Sequence, residues 1–125
     1  MLYAILCYGD EATVRSLDKA RDDALMKKLS AVHDELIAEG KLGPHFRLQT
    51  TGTAKTVRAA TDQVIDGPFA ETKEQLLGLY VVECASMDEA VETAHRLEVE
   101  RKLARVAGSL EVRPILSYFE GTSIA

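Results

Sequence analysis

The run Asp66-Gly67-Pro68-Phe69-Ala70-Glu71-Thr72-Lys73-Glu74-Gln75 gathers carboxylates, an amine and an aromatic ring into one short stretch ahead of an apolar segment. Asp66 has the most chemistry open to it. A turn aspartate ordinarily accepts a hydrogen bond from the backbone N–H two residues on, but position 68 is proline and has none to give. Its carboxylate must use the Phe69 N–H, another segment, water or a ligand. Two readings follow: a structural turn residue satisfied by other backbone groups, or a base and hydrogen-bond acceptor poised over a cleft. Pro68 fixes its own φ and directs Gly67 toward extended backbone. Phe69 either plugs the core beneath the turn or walls a pocket. Glu71, Lys73 and Glu74 read as a solvated turn, with the alternative that Lys73 sets a cation beside Asp66 to hold a small acidic or carbonyl ligand.

The three histidines are His33, His45 and His95. None has a second histidine at i+2 or i+4, so no helical zinc pair is present. His33 lies four residues after Leu29 and four before Ile37. It reads as a histidine at a core margin or as a general base that orients a ligand. Its neighbour Asp34 points about 100° away on a helix and forms no dyad with it. His45 follows Gly43-Pro44 and is expected to face solvent, and His95, four after Val91, reads as a core-margin residue. A serine elbow, a phosphate-cradling loop, a dinucleotide fingerprint and paired catalytic carboxylates are all missing from the sequence. The candidate catalytic residues are therefore Asp66 and His33, and the candidate ligand-binding residues are Gly67, Pro68, Phe69 and Lys73. No metal and no cofactor are expected. Asp10 reads as a cap or a solvated loop carboxylate.

The elements that must position these groups follow from periodicity. Leu2–Tyr8 is a continuous apolar run closed by Gly9-Asp10 and predicts a strand. From Leu17 to Glu39 the spacing of Leu25, Leu29, Val32 and Leu36 predicts a helix, with Ser16 as N-cap and Gly40 as C-terminal glycine. Gly43-Pro44 breaks the chain, and Phe46–Gln49 with Lys55–Ala59 predicts a bent or bulged strand. Leu79–Cys84 is a second strong strand. Ser86 with Glu89 makes a capping box for a helix striped by Met87, Ala90, Val91, Ala94 and Leu97. Glu98–Ala107 reads as a short extra helix, and Leu110–Leu116 as a strand whose Pro114 suits a sheet edge.

Both parities of Leu2–Tyr8 are apolar, and nearly so for Leu79–Cys84. Strands buried on both faces read this way. Two amphipathic helices cover only one face of such a sheet, so the other needs a partner. Burying about 400 Å² more apolar surface per chain contributes roughly 10 kcal/mol before association costs. A symmetric homodimer through the sheet face is the expectation.

The run Asp66–Glu83 resembles the signature of the DGPF-domain branch of the YCII-related proteins. Gly43-Pro44, Arg47-Leu48-Gln49, Thr53-Ala54, Thr56-Val57-Arg58 and Leu110–Ile115 resemble the same family in order and spacing. The likeness spans nearly the whole chain and implies one domain over residues 1–125. It also implies a ferredoxin-like α+β fold, a βαββαβ sandwich that dimerises as an α+β barrel. The family is associated with a His–Asp pair as active site, for which this chain offers Asp66 from the motif and no histidine placed beside it, and with no settled reaction.

At 125 residues, with 46% hydrophobic and 28% charged residues, the chain fits a single soluble domain. A net charge of −5 argues against nucleic acid as a partner. No apolar run approaches a membrane span, and Met1 leads straight into Leu2–Cys7 without a signal peptide's basic region. Cys7 and Cys84 form no CxxC pair and are expected as small buried residues in a reducing, cytoplasmic setting. Two functions fit: a cofactor-free enzyme or small-ligand binder with the Asp66 motif at its pocket, or a non-catalytic regulatory module that docks a protein partner. The resemblance to domains associated with extracytoplasmic-function sigma factors supports the second.

Overall fold

The computed structural model describes residues 1–103 and 108–124. Leu2–Gly9 forms strand β1, whose residues alternate between full and partial burial as the period of an extended chain requires. A one-turn helix α1 (Glu11–Arg15) follows, then the long helix α2 (Lys19–Ala38). Strand β2 (Leu42–Arg47) leads through a 3-10 turn at Thr51–Thr53 into a short hairpin, β3 (Lys55–Arg58) and β4 (Gln63–Asp66). Strand β5 (Gln75–Glu83), helix α3 (Met87–Leu103) and strand β6 (Gly108–Pro114) complete the order.

The main sheet is four-stranded in the order β2-β5-β1-β6, and β3-β4 forms a separate two-stranded sheet. Every pairing is antiparallel. The fold is α+β, and its order of elements is compatible with a ferredoxin-like arrangement into which the β3-β4 hairpin has been inserted.

Capping explains where the helices start and stop. The Asp18 carboxylate accepts from the Arg21 N–H at 2.8 Å and starts α2. Ser16, expected in that role, instead ends α1, its hydroxyl donating to the Thr13 carbonyl at 2.6 Å. Gly40 takes φ +72° just past α2, and the Gly40 and Lys41 N–H groups donate back to the carbonyls of Ile37 and Leu36. This is the Schellman closure that a glycine allows. At the start of α3 the Glu89 N–H donates to Ser86 Oγ, and Glu89 accepts from the Ala85 N–H at 2.6 Å. The segment expected as a separate helix from Glu98 is continuous with α3 to Leu103, and its remaining residues lie outside the described ones.

Both prolines of the sheet sit on its edge strands, Pro44 in β2 and Pro114 in β6. An edge strand has one side without ladder partners, so the missing N–H costs nothing there. The register shift between Leu42 and His45 absorbs the Gly43-Pro44 irregularity, so the strand runs through residues expected to break it.

The helices cover one face of the sheet. Tyr3, Ile5 and Cys7 of β1 and Tyr80 and Val82 of β5 pack there against Leu36 of α2 and Ala90, Ala94 and Leu97 of α3. The opposite face carries Leu2, Ala4, Leu6 and Tyr8 beside Leu79 and Val81, with Leu6 opposite Leu79 and Ala4 opposite Val81. This outer face is as apolar as the two-parity pattern requires.

Candidate functional site

Antiparallel register sets the site on the helix-facing side of the sheet. Tyr80 of β5 stands opposite Ile5 on one side and His45 on the other; Gly78 stands opposite Cys7 and Arg47. These residues face α2, with Tyr80 and His45 against His33 and Arg47 against Asp22. With small Cys7 and a glycine at 78, the sheet does not fill the space under that helix. A cavity of about 700 Å³ results, walled by Val14, Leu17, Leu25, Met26, Leu29 and Leu77. That volume suits a small organic molecule.

Its polar groups converge from different elements. His33, on α2, brings Nε2 to 2.9 Å from the Tyr80 hydroxyl. His45 stacks on the Tyr80 ring, with centroids 5.7 Å apart and an interplanar angle of 15°. The two imidazoles meet edge to face at 4.9 Å. His45 Nδ1 lies 2.9 Å from the Gly43 carbonyl oxygen. A carbonyl only accepts, so Nδ1 carries the proton and a neutral His45 leaves Nε2 as an acceptor. Arg47 reaches across to Asp22 of α2 at 3.3 Å.

Glu11 is the buried carboxylate of this region, 8% exposed, and it also lines the cavity. It accepts from the Thr51 N–H at 2.7 Å and from Thr51 Oγ1 at 2.8 Å. Its own N–H donates to Gln75 Oε1 at 3.0 Å. Asp10, the cap of α1, accepts from the Ala12 N–H and the Thr13 hydroxyl, which positions Glu11 at the first turn. Thr51 and Gln75 are the two roots of the inserted hairpin, so one residue at the cavity wall ties both.

The motif residues lie elsewhere in the chain. Asp66 pairs with Lys55 at 2.6 Å, its cross-strand partner in the hairpin, and its side chain is 87% exposed. The carboxylate that looked locally unsatisfied in sequence thus has a cation eleven residues upstream. Gly67 takes φ +93° rather than an extended conformation of the kind open to other residues. Its N–H donates to the Ala54 carbonyl and its own carbonyl accepts from Thr56 Oγ1. Pro68 is half-buried in the turn. Phe69 is 80% exposed, neither a core plug nor a cavity wall, and Lys73 is exposed. None of Asp66, Gly67, Pro68, Phe69 and Lys73 lines the cavity, whereas His33 does. His95 is an exposed residue of α3 with Nδ1 3.8 Å from Glu98.

Sequence reasoning missed Tyr80 and Glu11; His45 is exposed, as expected, and it also lines the cavity. A tyrosine at a core parity and an acid directly after a cap were the available signals. Among the described residues no group of three metal-ligating side chains comes together. Both cysteines are buried, as expected.

A second charged cluster joins the ends of α2 and α3. Arg96 bridges Glu35 and Glu39, and Lys41 bridges Glu39 and Glu89. The hydrogen bond from Arg96 holds the Glu39 carboxyl below its ordinary value. The Ala85 N–H, followed by Lys41, does the same for Glu89, while the bond to Glu89 raises Lys41 and that to Glu39 raises Arg96. This cluster lines no part of the cavity. No helix among the described residues is long and apolar enough to cross a membrane.

An uncharacterized protein of Rhizobium meliloti (strain 1021) is 47% identical over 123 residues, covering 97% of each chain. The family model of the YCII-related domain matches residues 1–118. The chain therefore belongs to the YCII-related family.

Proposed function

We propose that the protein is a small, homodimeric, cofactor-free binder or enzyme of small molecules, with the cavity beneath α2 as its site. The observation that carries the reading is the 2.9 Å bond between His33 Nε2 and the Tyr80 hydroxyl in the wall of a cavity of about 700 Å³. An imidazole and a phenol in contact form a proton relay whose direction depends on the tautomer. A ligand hydroxyl or carbonyl brought against the pair is hydrogen-bonded and, in an enzyme, gains or loses a proton there. The stacked His45 ring restricts the phenol, and the apolar walls strengthen every polar contact inside.

Asp66 keeps its ion pair with Lys55 in this reading and stabilises the hairpin, while Gly67 and Pro68 shape its exit turn. Phe69, 80% exposed, is free to pack against a second protomer. The outer sheet face supports a dimeric α+β barrel, because Ala4, Leu6 and Leu79 are part-exposed apolar residues on the face opposite the helices, around the buried Val81.

A thermal-shift screen of metabolites against wild type, His33→Asn, Tyr80→Phe and Asp66→Asn tests the reading. Ligands are expected to raise the melting temperature of wild type and Asp66→Asn but not of His33→Asn. A ligand that still stabilises His33→Asn and fails on Asp66→Asn moves the site to the hairpin and overturns it.

A further inference from the structure

We infer that the cavity takes an amphipathic organic anion, its apolar body under α2 and its charged end at Arg15 by the mouth. The inference rests on the cavity being the ligand site. Three cationic residues line it, Arg15, Lys19 and Arg47, against the carboxylates of Glu11 and Asp22, on a chain whose net charge is −5. A cationic rim on an acidic protein draws anions to one place.

The three cations are not equivalent. Arg47 is paired with Asp22 at 3.3 Å, and Lys19 with Asp23 at 3.0 Å. Arg15 ends α1 and engages no carboxylate among the described residues. Its natural partner is Glu11, four residues earlier on the same face of the same helix, the spacing at which opposite charges pair. That pair does not form: the Glu11 carboxylate is turned to Thr51, which donates to both of its oxygens at 2.7 and 2.8 Å. Arg15 is thus an exposed cation in the lining of the cavity that is not paired with this acid. A guanidinium holds a carboxylate or sulfonate through two parallel N–H bonds, which a neutral group of the same shape cannot reproduce. Behind the mouth the wall is Val14, Leu17, Leu25, Met26 and Leu29, which suits a hydrocarbon or aromatic body.

The test uses two fluorescent probes with one apolar body, anionic 1-anilinonaphthalene-8-sulfonate and neutral N-phenyl-1-naphthylamine. They are titrated into wild type, Arg15→Gln and the cavity-filling variant Met26→Trp. The sulfonate is expected to bind wild type more tightly than the neutral probe and to weaken about tenfold in Arg15→Gln. Neutral-probe binding should stay unchanged in Arg15→Gln, which also shows that the variant is folded. Met26→Trp should weaken both. Equal binding of the two probes, or a sulfonate affinity indifferent to Arg15→Gln, overturns the anion assignment while the cavity stands. Binding of both probes undiminished by Met26→Trp places them elsewhere, and the cavity reading and the inference fall together.

Discussion

Replacing Glu11 with alanine removes the carboxylate that holds Thr51, one root of the β3-β4 insert, while the backbone N–H that donates to Gln75 at the other root stays in place. Two hydrogen bonds to its carboxylate are lost, from the Thr51 N–H at 2.7 Å and from Thr51 Oγ1 at 2.8 Å. Bonds to a charged acceptor contribute about 1.5–3 kcal/mol each, but Thr51 is only half-buried and water replaces part of what is lost. Removing a charged side chain from a site 8% exposed also relieves its desolvation, which lowers the net cost further. A net destabilisation of about 1–3 kcal/mol is expected, roughly 3–12 °C in melting temperature for a domain of this size. Glu11→Gln should cost less, because an amide oxygen still accepts from the Thr51 N–H and its NH₂ can donate to Oγ1. The assay is circular-dichroism melting together with hydrogen exchange at the hairpin amides. Exchange should accelerate across the insert and remain slow in β1 and β5, since the perturbation is local. A melting temperature within a degree of wild type, with unchanged hairpin exchange, refutes the idea that Glu11 is a clamp. A double-mutant cycle with Thr51→Ala should return a coupling of about 1 kcal/mol or more.

Gly78→Ala should be among the most damaging single-methyl additions, because its Cβ would stand 2.2 Å from the Phe46 carbonyl oxygen across the β2-β5 ladder. Overpacking of this kind costs about 1–3 kcal/mol, which chemical denaturation would read. Leu6→Lys or Leu79→Lys puts a charge on the outer sheet face. Sedimentation equilibrium should then fall from twice the 13.7 kDa chain mass to the single mass, and a wild type that already sediments as a monomer sinks the dimer. The Arg96 cluster gives a pH signature. Their hydrogen bonds hold the Glu39 and Glu89 carboxyls below the ordinary glutamate value, so their stabilisation is present above the unfolded-chain value and disappears as pH falls through the lower folded values. Arg96→Gln should therefore melt lower than wild type at neutral pH, and the two curves should converge under strong acid.

The sequence revealed the frame better than the site. The apolar runs at Leu2 and Leu79 and the four-three-four spacing from Leu25 to Leu36 are strong patterns, and the strands and helix formed where they predict. Gly40 and the Ser86/Glu89 box act as their residue types require. Strand β4 was not anticipated, because Gln63–Asp66 has neither an apolar face nor length, and it exists only through pairing with Lys55–Arg58. The long helix begins two residues later than Leu17, since Asp18 is the better cap and Ser16 closes a turn that the pattern did not show. His33 was recognisable from its place at the edge of a stripe. Its bond to Tyr80 was not, because it joins α2 to β5 across 47 positions and depends on how the helix packs on the sheet. Asp66 shows the same limit: its partner Lys55 is fixed by a hairpin register, not by the turn's own chemistry. Phe69 remains outside any core in one chain, against the usual fate of a phenylalanine.

The two buried thiols make the protein its own reporter of motion. Cys7 lines the cavity at the sheet surface, while Cys84 sits beneath α3 with Sγ 3.7 Å from Thr93 Oγ1. A thiol-labelling reagent can reach the first whenever the helix-capped chamber or its hairpin neck opens, but reaches the second only when α3 detaches from the sheet. The ratio of the two labelling rates therefore separates breathing of the chamber from unfolding of the whole chain, with no engineered probe. An occupant of the chamber should slow the first rate directly and the second only through its effect on overall stability.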